Sequence, residues 1–129
     1  MQHPFVEFLI ARDLVPKNVG DLLSGTCRVV REPIGMVAVG HGVLSADQID
    51  GILDRQRESQ KLFGEIAVEL GFLTPEQVET LVKIQEFRVG AQISEALALA
   101  GVLSCEESIQ YLGAYLVRDR ELIEMMVDE

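Results

Sequence analysis

The chain has 129 residues, of which 48% are hydrophobic, and a formal net charge of −10. This length is sufficient for a small globular domain to bury a core without disulfides or metals. Residues 62–129 carry thirteen Asp or Glu against four Lys or Arg, and because duplex binding depends on clustered cations, we predict no DNA or RNA partner.

Apolar residues at helical spacing predict eight helices, at 3–13, 17–24, 34–41, 46–60, 63–70, 75–88, 92–100 and 105–127. Three glycines that each close a short apolar stretch predict helix C-termini: Gly42, Gly71 and Gly101. Three residues after each glycine, Ser or Thr is followed at the third position by Gln or Glu, which is the pattern of a capping box. The chain is therefore expected to be all-α.

The pattern of the third and fourth helices returns in the next two, and Gly64 stands in the later copy where Gly35 stands in the earlier one. A fixed period of about 29 residues indicates a repeated supersecondary unit. We predict tandem helix-turn-helix repeats of about 29 residues that form a compact helical bundle, as one all-α domain over residues 1–129. Its predicted parts are a faint repeat at 5–24, a linker at 25–32, repeats at 33–61 and 62–90, and a degenerate repeat at 91–127.

Cysteine usage and hydropathy favour a cytoplasmic protein. Cys27 and Cys105 fit no metal-binding spacing, so we expect reduced thiols. The N-terminus has no basic region followed by an apolar one, and glycines interrupt the longest apolar stretch, 34–44. No membrane insertion is expected.

Catalytic chemistry is not indicated by this sequence. The two histidines, His3 and His41, have no evident nucleophile or orienting acid. Asp47, Asp50 and Asp54 share helix faces and suggest either a metal site or a solvated face, and we favour the solvated face because Arg57 is placed to pair with Asp54. We therefore predict no enzyme, no metal and no cofactor.

The two clear copies resemble the tandem motif in the N-terminal domains of type II secretion and type IV pilus assembly ATPases, of the mannose-sensitive haemagglutinin pilus ATPase type. That motif is Arg-Leu-Gly, two residues, Leu, three, Gly, six, Leu, three, Leu, two, Gln. The first copy matches with Ile34, Gly35, Ala38, Gly42, Ile49, Leu53 and Gln56, and the second with Phe63, Gly64, Ala67, Gly71, Val78, Val82 and Gln85. Five residues separate the copies, 57–61, as in the family.

The resemblance implies a non-catalytic regulatory module that binds cyclic di-GMP, each motif holding half of the ligand. Glycines at helix starts allow close approach of a phosphate to the backbone, and apolar neighbours cover the purines. The candidate ligand-binding residues are Arg31, Ile34, Gly35, Ala38, Gly42, Arg57, Lys61, Phe63, Gly64, Ala67 and Gly71.

The chain departs from the family at its leading arginine, which is Pro33 in the first copy and Leu62 in the second. The phosphate-binding loop of an ATPase is also absent from the sequence. In an alternative interpretation, Gly35 and Gly64 permit close helix packing and the motif glutamines bridge neighbouring hairpins.

A second functional hypothesis is a protein-interaction adaptor of a secretion, pilus or motility apparatus. Its partner would bind the acidic second half and the last predicted helix. The apolar residues of that helix are Tyr111, Tyr115, Leu116, Leu122, Ile123, Met125 and Met126, and their alternative role is to pack over the last repeat.

Overall fold

The computed structural model describes residues 3–24 and 29–127, and the side chains of residues 22, 24 and 118–127 are outside the description. The described residues form α-helices and no strand, so the all-α prediction is confirmed. The helices are α1 (Pro4–Ala11), α2 (Val19–Ser24), α3 (Ile34–Gly40), α4 (Ala46–Glu58), α5 (Phe63–Glu69), α6 (Pro75–Leu99) and α7 (Cys105–Val127). None of these helices is long and apolar enough to span a bilayer.

Helix α6 is one continuous helix where the sequence predicted two, at 75–88 and 92–100. Val89 and Ile93 are four residues apart and both are 2% exposed, so one helical face continues into the core through the predicted break. Gly90 lies within the helix where α6 approaches α7, and a Cβ built on it would be 2.4 Å from Leu112 Cδ1. The prediction of two helices was wrong because buried packing holds the backbone helical there.

Four turns share the same backbone geometry after α1, α3, α5 and α6. The second residue after each helix end has positive φ: 56° at Asp13, 70° at Gly42, 76° at Gly71 and 74° at Gly101. In each turn that residue donates its N–H to the carbonyl three residues back, and the next residue donates to the carbonyl five back. This is the hydrogen-bond pattern of a Schellman cap, which suits glycine. Three of the four positions were predicted as helix stops.

The predicted capping boxes begin α4, α6 and α7. In each box, the hydroxyl of the first residue accepts a hydrogen bond from the backbone N–H three residues later. The backbone N–H of the first residue donates in return to the side-chain oxygen of that later residue. The pairs are Ser45 with Gln48, Thr74 with Gln77, and Ser104 with Glu107. These reciprocal bonds satisfy N–H groups that have no partner within the helix.

The chain divides into two compact units. The terminal unit contains the described residues up to Val30 and from Phe87 onward, and its most buried side chains include Phe5, Leu9, Ile93 and Leu97. Of the predicted linker 25–32, residues 25–28 lie outside the described residues, and 29–32 are in no helix.

The central unit contains residues 31–86. Its core is formed by apolar side chains of α3 to α6 and of the turns that follow α3 and α5: Val37, Ala38, Leu44, Ile52, Ile66, Ala67, Leu73 and Leu81. All the predicted ligand-binding residues lie in this unit.

Candidate functional site

The first turns of α3 and α5 lie side by side in the central unit. A Cβ built on Gly35 would be 2.9 Å from Cζ of Phe63, and one built on Gly64 would be 3.7 Å from Cδ1 of Ile34. The residue that begins each short helix therefore contacts the glycine of the other one. We call this group, Ile34, Gly35, Phe63 and Gly64, the paired entrances.

Each of these glycines is also covered by the longer helix that follows in its own motif. A Cβ on Gly35 would be 3.1 Å from Ile49 Cδ1, and a Cβ on Gly64 would be 2.7 Å from Val78 Cγ1. Both glycines are buried. Close helix packing, the alternative considered for them from the sequence, therefore accounts for the absence of a side chain at both positions.

The motif glutamines hold the chain where it enters the two short helices. Gln56 donates from Nε2 to the carbonyl of Lys61 at 3.4 Å, and Gln85 donates to the carbonyl of Glu32 at 2.8 Å. Each carbonyl belongs to the residue two positions before the helix start. The glutamine of the first motif thus bonds the entry to α5, and that of the second bonds the entry to α3.

The predicted purine-covering residues divide into two classes. Ala38 and Ala67 are 0% exposed within the core of the central unit, so they contact protein atoms and present no surface to a ligand in this conformation. Ile34 and Phe63 are half-buried and pack at the edge of the same core. Only these two of the four predicted apolar contacts reach the surface.

The three predicted cations are each held by a carboxylate. Arg31 donates to Glu86 at 2.7 Å, Arg57 to Asp54 at 3.2 Å, and Lys61 to Glu69. All three cations are at least half exposed. Exposed ion pairs contribute only ~0–1 kcal/mol, so an anionic ligand can compete for these cations at small cost.

Arg31 has a second partner in the motif glutamine. Its guanidinium also donates to Gln85 Oε1 at 3.0 Å, while the same amide donates to the carbonyl of Glu32. The arginine is therefore fixed beside the entry to α3 by α6. Its side chain is therefore linked, through Gln85, to the backbone that leads into α3.

The turn glycines lie away from the paired entrances. Gly42 follows Gly35 by seven residues, which is ~10 Å along a helix. Nothing lies within 4 Å of a Cβ built on Gly42 or Gly71, and both have positive φ. Their glycine identity is explained by the helix C-cap, so the structure does not bring these two predicted ligand residues together with the paired entrances.

Pro33 and Leu62 immediately precede the paired entrances, and neither forms a side-chain cap with the described residues. Leu62 is 70% exposed. By contrast, the longer helices α4, α6 and α7 all begin with capping boxes. A longer side chain at position 62 would therefore lie on the surface at the start of α5.

Sequence reasoning did not assign Ile49 or Val78 to the site, although they form close contacts with the two glycines. The signal was available, since both belong to the repeated pattern and occupy equivalent positions in the two copies. Only the structure shows that Ile49 packs on Gly35 and that Val78 packs on Gly64.

The adaptor hypothesis relied partly on apolar residues of α7, three of which pack against the core of the terminal unit. Tyr115 is 7% exposed, and Tyr111 and Leu116 are partly buried against the same core. The side chains of Leu122, Ile123, Met125 and Met126 lie outside the description. No group of His, Cys, Asp or Glu among the described residues is arranged to hold a metal ion.

Comparison with protein-family models, with curated protein sequences and with solved structures finds no match to this chain.

Proposed function

We propose that this chain is a non-catalytic regulatory module that binds cyclic di-GMP at the paired entrances. The proposal includes the tandem repeat of about 29 residues and the resemblance to the N-terminal domains of secretion and pilus ATPases. The observation that carries it is the reciprocal contact of Ile34 with Gly64 and of Phe63 with Gly35.

The symmetry of these contacts supports a ligand with two equivalent halves. Three kinds of contact occur twice, with partners at equivalent positions of the two copies. Each glycine contacts the first residue of the other short helix, and each glycine contacts the longer helix that follows it. Each motif glutamine donates to a carbonyl two residues before a short helix. The two halves of the site are thus related by an approximate two-fold axis. Cyclic di-GMP consists of two identical guanosine monophosphate halves, so each half would meet the same backbone arrangement, a helix-start glycine beside the first residue of the other short helix.

The available side chains suit the chemistry of that ligand. Ile34 and Phe63 offer half-buried apolar surface, and an aromatic ring stacks on a purine with a gain of ~1–3 kcal/mol. Arg31 and Lys61 would exchange their carboxylate partners for the ligand's phosphates. In the structure the ring of Phe63 lies against Gly35. A phosphate would therefore reach the backbone of Gly35 only after the Phe63 side chain rotates away.

A second candidate is a protein adaptor of a secretion, pilus or motility system. The observation that favours it is the exposure of apolar side chains in the central unit, with Leu62 at 70% and Met36 at 57%. Single exposed apolar residues are common on protein surfaces. The two candidates differ in their response to a charge at Leu62, since a charge of either sign would weaken an apolar protein contact.

Isothermal titration calorimetry of the purified chain with cyclic di-GMP tests the proposal. Leu62→Arg restores the family's arginine at an exposed position, and a charged hydrogen bond of ~1.5–3 kcal/mol tightens binding by ~10-fold or more. Leu62→Glu is the matched control and weakens binding. Absence of heat with micromolar nucleotide for both the parent and Leu62→Arg would contradict the proposal, as would equal affinity of Leu62→Arg and Leu62→Glu.

A further inference from the structure

Segment 29–32, which leads into α3, is held to α6 by the side-chain amides of two glutamines. The N–H of Val30 donates to Gln92 Oε1 at 2.7 Å, and the carbonyl of Val30 accepts from Gln92 Nε2 at 2.8 Å. The carbonyl of Glu32 accepts from Gln85 at 2.8 Å. We call segment 29–32 the strap.

The strap is held by polar contacts at the surface. All four of its residues are exposed, including Val29 at 43% and Val30 at 62%. Burial of apolar surface therefore contributes little to its position. A segment with few buried contacts opens at a low cost in free energy, so the strap can detach from α6 while the helices remain folded.

Arg31 is the strap residue whose side chain bears on the candidate site. Its Nη2 donates to Glu86 at 2.7 Å and to Gln85 at 3.0 Å. These two bonds use both N–H groups of Nη2. A guanidinium binds a phosphate in a bidentate way through one of two edges, and both edges include Nη2. While the strap is docked, Arg31 therefore has no complete edge to offer a phosphate.

We propose that the strap inhibits the ligand site, and that a phosphate-bearing ligand gains Arg31 only when the strap detaches from α6. Glu86 is then an internal competitor of the ligand, because its carboxylate occupies the guanidinium that a phosphate would take. This inference rests on the proposed function for the identity of the ligand. The docking of the strap by Glu86 does not depend on it.

The position of Arg31 in the chain allows this exchange. Arg31 is three residues before Ile34, a span of at most ~10 Å of extended chain, so a detached strap can turn the guanidinium toward the paired entrances. Val30 is the adjacent residue, and its bonds to Gln92 lie within the terminal unit, whereas those of Arg31 lie within the central unit. Release of Arg31 should therefore also loosen Val30.

The first experiment is made without nucleotide and compares Glu86→Gln with Glu79→Gln. Glu79 pairs with Lys83 on the same helix at 3.0 Å, so the two variants carry the same net charge and only one of them touches Arg31. The measurement is the solvent-exchange rate of the Val30 amide by NMR. Glu86→Gln should raise this rate by ~2–5-fold, as expected for the loss of one exposed ion pair, and Glu79→Gln should leave it unchanged.

The second experiment measures the affinity of the same variants for cyclic di-GMP by calorimetry. A ligand that binds only the detached state has an apparent affinity reduced by the fraction of chains in that state, so Glu86→Gln should tighten binding by the same ~2–5-fold. Glu79→Gln should bind as the parent does. In an Arg31→Gln background, Glu86→Gln should have no effect, because it acts through Arg31.

The outcomes separate this inference from the proposed function. An unchanged Val30 exchange rate in Glu86→Gln overturns the docking of the strap, whether or not nucleotide binds. Saturating nucleotide should raise that rate in the parent chain, and binding that leaves it unchanged overturns ligand-driven release but not the ligand site. Absence of binding in the parent and in Glu86→Gln contradicts the proposed function and ligand-driven release together.

Discussion

Gln85 donates its side-chain N–H to the main-chain carbonyl of Glu32 at 2.8 Å and so ties α6 to a segment 53 residues earlier in the chain. The equivalent glutamine, Gln56, makes its bond to Lys61 across only five residues at 3.4 Å. The same motif position thus has a long-range role in one copy and a local role in the other. Gln85 joins the last helix of the central unit to its first residues.

We expect Gln85→Ala to lower the free energy of unfolding by ~1–2 kcal/mol, since it removes a hydrogen bond to Glu32 and one to Arg31. Gln56→Ala removes one long hydrogen bond and should cost less than half as much. Urea denaturation followed by circular dichroism measures both variants. Equal destabilisation by the two variants would show that the long-range bond of Gln85 stabilises the fold no more than the local bond of Gln56.

The two entrance glycines should differ in their tolerance of a methyl group. At Gly64 the built Cβ is 2.7 Å from Val78 Cγ1, and a β-branched side chain in a helix has one strongly preferred rotamer. Gly64→Ala should therefore destabilise the chain by ~1–3 kcal/mol. At Gly35 the nearest atoms are the ring tip of Phe63 and the terminal carbon of Ile49, which can shift, so Gly35→Ala should cost less.

Thermal unfolding compares the two glycine variants, and the double variant Gly64→Ala, Val78→Ala provides the control. Removing the two Val78 methyl groups relieves the contact, so the effect of Gly64→Ala should be smaller in that background than in the parent. Additive effects of the two substitutions would mean that this contact is not the source of the cost.

Asp13 is the one described residue other than glycine with positive φ, at 56°. Its turn has the hydrogen bonds of the three glycine turns, from the N–H of Asp13 to Ile10 and from that of Leu14 to Leu9. A left-handed backbone costs a non-glycine residue ~1–2 kcal/mol, so Asp13→Gly should stabilise the chain by up to ~1 kcal/mol after its entropy cost. Chemical denaturation tests this, and Gly71→Ala is the reverse control, expected to destabilise.

The capping box of α7 should respond to acid, while the other two should not. Hydrogen bonds from the backbone and side chain of Ser104, and a further one from Tyr111, lower the pKa of Glu107. A carboxylate with a lowered folded-state pKa stabilises the fold above its unfolded pKa, and this contribution is lost as the pH falls through the folded value. Gln48 and Gln77 fill the same position in the other boxes and do not titrate.

Glu107→Gln should therefore keep the box and remove the part of the acid sensitivity that belongs to this residue. The measurement is the unfolding free energy of parent and variant from pH 7 to about pH 3, a range that includes the ordinary glutamate pKa near ~4.3. The difference between the two proteins should change below about pH 4.5 and be constant above it. A constant difference over the whole range would show that the Glu107 bonds do not form in solution.

Helix ends were predictable from the sequence because their signals are local. The left-handed glycines and the three capping boxes depend on residues within one turn, and both were found where expected. Asp13 was harder to identify, since an aspartate in a glycine position is visible only by alignment with the other copies. The continuity of α6 was missed because packing of Val89 and Ile93, rather than local propensity, decides it.

Contacts within the candidate site were only partly predictable. The repeated pattern indicated that Gly35 and Gly64 hold equivalent positions, but the sequence contained no signal that Phe63 would lie on Gly35 or that Ala38 would be fully buried. These facts depend on which helix faces pack together. The position of Arg31 near the entry to α3, by contrast, follows directly from its place in the sequence, three residues before that helix begins.

The most direct test of the proposed ligand site is a titration of ¹⁵N-labelled chain with cyclic di-GMP, followed by amide chemical shifts. We predict that the largest shifts fall on Gly35 and Gly64 together, with Ile34 and Phe63 next. The turn glycines Gly42 and Gly71 should change little. Unchanged spectra at millimolar nucleotide, or shifts confined to the terminal unit, would contradict a cyclic di-GMP site at the paired entrances.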